Sequence, residues 1–172
     1  MIRLTGGILV ILGCCGLGCW FREQYQERIR HIRILISIID MMKSEVRYCK
    51  AALPECLHGI LERLEEPYRE AFTKAYEDIC ENTGESPGII FQSAMKECLD
   101  LVPLEREEKK IFWEFAGKCG FEDAGLQLGS MERYRQQLRE IYEQQQNEVI
   151  KRGRLAVSLG AMSGVFIVIM LL

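Results

Sequence analysis

The chain reads as all-α: a helical bundle of about six helices with N- and C-terminal transmembrane helices. Three observations predict this. Both ends are uncharged apolar stretches, residues 4–21 and 155–172. Between them apolar residues recur three and four apart, and no stretch alternates with the period of a strand. Prolines and turn residues cut the interior into helix-length segments.

The ends set the frame. Each apolar stretch is about 18 residues long, which at about 1.5 Å rise per residue spans roughly 27 Å, close to a hydrocarbon core of about 30 Å. Backbone groups in lipid must be satisfied within the segment, so both should be helices. The expected organisation is a transmembrane helix at 1–21, a cytoplasmic helical bundle at 22–154 and a second transmembrane helix at 155–172. Arg22, Arg28, Arg30 and Arg33 follow the first stretch, and Lys151, Arg152 and Arg154 precede the second, while only Arg3 lies on a far side. Basic flanks stay cytoplasmic, so the middle faces the cytoplasm and both termini lie across the membrane. The same arginines can meet anionic lipid headgroups. Gly160 and Gly164 have the G-x-x-x-G spacing that permits close helix approach, and a homo-oligomer is one expected assembly. Two other readings compete. Residues 4–21 resemble a cleaved export signal, with Cys14 at a lipoprotein-like box, but the arginines lie on the wrong side and no A-x-A site follows. Residues 155–172 could be a core helix, but their terminal position behind a basic cluster favours a membrane.

The interior helices follow in order. Ile29, Ile32, Ile36, Ile39, Val46, Cys49 and Leu53 form a nearly heptad seam, interrupted by Lys43 and widened by Ile34, Leu35, Ile38, Met41 and Met42. Such a helix is central in a bundle, and Pro54 stops it. Pro54 opens a short second helix to Glu66, with Leu57, Ile60, Leu61 and Leu64 inward. Pro67 opens a third, burying Tyr68, Ala71, Phe72, Ala75, Tyr76 and Ile79, and Asn82-Thr83-Gly84 ends it. Ser86-Pro87 caps a fourth, whose face is Ile90, Phe91, Ala94, Cys98 and Leu101. A fifth runs over residues 104–118, with Glu105, Glu107 and Glu108 at its positive start and Ile111, Phe112, Phe115 and Cys119 inward. Gly120 closes it in the left-handed conformation. Asp123 caps a last helix of about 49 residues, spaced for burial at Leu128, Met131, Tyr134, Leu138, Ile141 and Val149. Its polar stretch, residues 143–148, reads as solvated.

Composition narrows the function. A net charge of -3 leaves no electrostatic footprint for nucleic acid. Of eight cysteines, Cys14, Cys15 and Cys19 lie in the first apolar stretch. Cys49, Cys56, Cys80, Cys98 and Cys119 form no C-x-x-C pair and read as reduced thiols beside apolar stripes. His31 and His58 are the two histidines. Cys56 and His58 are too close in helical phase to share a face, so no metal is expected. Neither a phosphate loop nor a G-x-S-x-G elbow is present, and Gly117-Lys118-Cys119-Gly120 sits at a helix end without a sheet around it. Glu65-Glu66 and Glu107-Glu108 point apart on helices and read as solvated surface. No enzyme, cofactor or catalytic residue is expected; what remains is an adaptor working by contact. The alternatives are a regulatory or ligand-sensing small membrane protein, an exported lipid-anchored protein, and an enzyme whose polar cluster the spacing hides.

From Tyr25 to Tyr48 the chain reads YQERIRHIRILISIIDMMKSEVRY. Glu27-Arg28, Arg30, Ile32-Arg33, Leu35 and Glu45-Val46 with Tyr48 resemble the first cytoplasmic helix of the stage III sporulation protein AB family, and Leu53-Pro54-Glu55 the turn after it. Gly120 to Asp123 with Gln127 is similar to that family's L-G-x-x-D-x-x-x-Q segment, Cys119 standing where leucine is usual. The resemblance implies a protein of endospore formers, in the mother-cell membrane facing the forespore. Its companions would be the other stage III sporulation A-operon proteins, which build a channel between the two cells. It further implies a cytoplasmic domain similar to the platform protein of type II secretion and type IV pili, engaging a secretion-type ATPase. On this reading Glu27, Arg28, Arg30 and Arg33, and the corner Gly120, Asp123 and Gln127, are partner contacts or structural joints. Plain helix capping is the favoured role of Asp123, and topology or inter-helix pairing competes with ATPase contact for the arginines.

Overall fold

The structure, a computed structural model, describes residues 25–49, 52–81, 84–120 and the backbone of 124–171, with side chains of the last helix described over 125–148. Two compact units divide the chain, Met1–Ile29 with Tyr142–Leu172, and Arg30–Ile141. Among the described residues there are six α-helices and no strand. They are α1 over 25–44, α2 Leu53–Ile60, α3 Tyr68–Cys80, α4 Pro87–Leu101, α5 Arg106–Lys118 and α6 Ala124–Leu171.

The α1 seam differs from the spacing first read. Its fully buried positions are Ile32, Leu35, Ile38, Ile39 and Met42, with Val46 following, whereas Ile36 is half-buried. The stripe therefore passes through Met42, and Lys43 stands beside it rather than interrupting it. After α1 the chain widens into a π-helical turn, Glu45–Cys49, which turns Tyr48 and Cys49 out to solvent. Leu53 consequently belongs to α2 and not to the end of α1. Pro54 lacks a backbone N–H, which costs nothing in a first turn, and Glu55 Oε2 accepts the Ala52 N–H at 3.2 Å, so the helix begins one residue ahead of the proline.

Helix α2 is shorter than expected: it tightens into a 3-10 turn at Leu61–Arg63, leaving Leu61 half-buried while Ile60 and Leu64 are inside. In α3, Tyr68, Ala71, Phe72 and Ala75 are buried, but Tyr76 and Ile79 near its end are half-buried. In α4 the inward face is Ile90, Phe91, Ala94, Met95, Cys98 and Leu99. Leu101 is 76 % exposed, because the helix ends there and Val102 and Leu104 turn inward in its place. Ser86 holds the N-cap position, yet its side chain makes no cap bond; its carbonyl accepts from Ile89 and Ile90.

Helix α5 starts at Arg106 with Glu105 as the N-cap residue, two residues later than the spacing indicated. Glu108, expected on the surface, is completely buried. Gly120 has φ +88°, the left-handed conformation expected after α5. Asp123 lies outside the described residues, as do Asn82 and Thr83; α6 begins directly after it at Ala124.

Aromatic rings join the layers. Phe72 of α3 meets Phe91 of α4 edge-on at 5.0 Å between centroids, and Phe115 of α5 meets Tyr134 of α6 at 6.1 Å. Both distances fall in the range where ring edges and faces attract beyond mere burial. Helices α4 and α5 run antiparallel: Asp100 faces Lys109 at 4.0 Å, Gln92 Nε2 donates to the Trp113 carbonyl at 3.1 Å, and Pro87 lies beside Gly120. On α6, Met131, Tyr134 and Leu138 are buried, while Leu128 and Ile141 are half-buried; the side chain of Val149 lies outside the described residues. Glu143, Gln144, Gln146, Asn147 and Glu148 are exposed, in line with a solvated stretch.

Among the described residues no helix is long and apolar enough to cross a membrane. Residues 4–21 lie outside them, and so do the side chains of 155–172, although the α6 backbone is helical to Leu171.

Candidate functional site

The described polar contacts concentrate where α1 and α6 meet within the unit Arg30–Ile141. Arg135 reaches Asp40 Oδ1 through Nε at 2.6 Å and Glu132 Oε1 through Nη1 at 3.0 Å. Lys43 Nζ closes the row by pairing with Glu132 Oε2. Asp40 opposite Arg135 and Lys43 opposite Glu132 means the two helices run antiparallel here. The four charges alternate in sign and cancel. Arg135 and Lys43 keep only 22 % and 20 % of their side chains exposed, so both pairs are shielded from solvent more than ordinary surface pairs are. Hydrogen bonding from Lys43 holds the Glu132 carboxyl below its ordinary value. This clasp was missed in the sequence. Its one legible sign was Lys43 at the edge of an apolar seam, and nothing local pointed to a partner 89 residues away.

The residues singled out by resemblance separate into different settings. Glu27 and Arg33 are exposed and Arg28 is half-buried on α1. Arg30 pairs with Glu65 Oε2 at 2.8 Å, with 58 % and 65 % of the side chains exposed, so this contact is a surface tie across to the loop before α3. Gly120 is a joint: a Cβ there would meet Leu53 Cδ2 at 3.5 Å and Pro87 Cβ at 3.8 Å, so the space is available and the positive φ is what calls for glycine. Gln127 is half-buried near the start of α6, and Asp123 lies outside the described residues.

Tyr48, in the π-helical turn after α1, is 78 % exposed, and Leu126, near the start of α6, is 68 % exposed.

The remaining chemistry is structural. His31 Nδ1 lies 3.0 Å from the buried Tyr68 hydroxyl, and His58 packs on Tyr76 at 5.1 Å. Cys56 is inside and His58 on the surface of α2. Among the described residues no group of three His, Cys, Asp or Glu side chains is placed to hold a metal ion. Cys56, Cys98 and Cys119 are buried free thiols, whereas Cys49 and Cys80, read as core residues, are exposed. Burial pushes the Cys56 and Cys98 thiols up to about 12, and raises Cys119 further.

The family model described as stage III sporulation protein AB matches residues 3–172. Stage III sporulation protein AB of Bacillus subtilis (strain 168) is 21 % identical over 172 residues, covering 100 % of both chains. A solved structure of a stage III sporulation protein AB superposes with a TM-score of 0.64 at 18 % identity, over 72 % of this chain and 97 % of that one, which establishes a common fold. With a match running through both terminal stretches and every helix between them, the chain belongs to the stage III sporulation protein AB family.

Proposed function

We propose that this protein is a non-enzymatic membrane platform of the sporulation channel between mother cell and forespore, required for endospore development. Its helical body lies in the mother-cell cytoplasm and its two ends cross the membrane facing the forespore. The observation that carries the reading is family membership over residues 3–172, joined to two uncharged terminal stretches whose basic flanks both lie on the side of the body. A body held at both ends works through its surfaces. Its partners are the other proteins of the stage III sporulation A operon, among them a secretion-type ATPase, by fold-level analogy with secretion platforms.

Co-purification tests it. The tagged full chain should retain the companion ATPase from sporulating cells in mild detergent, and Arg28→Glu/Arg30→Glu should weaken that recovery with the helical content unchanged. Absence of the ATPase from the unaltered chain's eluate would remove the platform role.

A further inference from the structure

We draw no further inference here: the strongest candidate, the surface patch where α4 and α5 leave Ile89 and Trp113 exposed, is an apolar face that nothing in the structure shows to be covered by any particular partner.

Discussion

Arg135 Nε sits 2.6 Å from Asp40 Oδ1, and that contact sets the register of α6 on α1. Sliding α6 by one helical turn would separate Arg135 from Asp40 and Lys43 from Glu132 together. Apolar stripes alone tolerate such a slip, since a turn of helix brings one aliphatic residue where another had been. Half-shielded charges with fixed partners do not.

Arg135→Leu should therefore destabilise the helical body by about 1 kcal/mol in denaturant titration of the full chain, the upper end for an ion pair whose acidic partner is still open to solvent. Asp40→Asn in the Arg135→Leu background should add little, because the two share one interaction. Additive losses would mean the residues act independently.

Acid should loosen the same clasp. The folded Glu132 carboxyl, held down by hydrogen bonding from Lys43, binds its proton only below the ordinary carboxylate range. Its stabilisation is complete above that range and is lost as pH falls through the lowered folded value. Glu132→Gln should flatten the acid limb of the stability profile measured by thermal melting. An unchanged limb would place the acid sensitivity elsewhere.

Gly117 of α5 faces the Gln92 side chain of α4. A Cβ there would collide with Gln92 Nε2 and lie 2.8 Å from Gln92 Cδ, so Gly117→Ala must push that side chain away and break its bond to the Trp113 carbonyl. A loss of about 1 kcal/mol is expected from one hydrogen bond. In a Gln92→Ala background the obstruction is gone, and the same alanine should stabilise by about 0.5–1 kcal/mol through helix propensity. The sign reversal across the cycle is the check.

Gly120→Ala should cost about 1–2 kcal/mol, the penalty of a left-handed backbone with a Cβ, and Gly120→Asn less. If Gly120 is a joint, ATPase recovery should follow the folded fraction and show no separate defect. A variant fully folded yet unable to retain the ATPase would make the corner a contact surface.

Thiol labelling should sort the cysteines of the helical body. Cys49 and Cys80 should alkylate in the folded chain, and Cys56, Cys98 and Cys119 only on unfolding, as resolved by peptide mass spectrometry. Glu45 hydrogen-bonds Cys49 and raises its thiol, so Glu45→Gln should speed Cys49 alkylation at mildly alkaline pH. Equal rates would break that link.

Which residues could become helix, and roughly where each helix stops, was decided by the sequence alone. Pro54, Pro67, Pro87, Pro103 and Gly120 restrict φ or demand a positive one wherever the chain goes, so the segments they bound follow from local sterics. The family was legible too, because spaced motifs and two uncharged ends need no coordinates. Tertiary structure decided which face of each helix is inside. It buried Glu108, exposed Leu101 and Cys49, and moved the α1 seam to Met42, because burial depends on which neighbour arrives and not on periodicity. It also made the clasp: Lys43 and Glu132 are strangers in the sequence, and only the antiparallel meeting of α1 and α6 brings their charges close enough to attract.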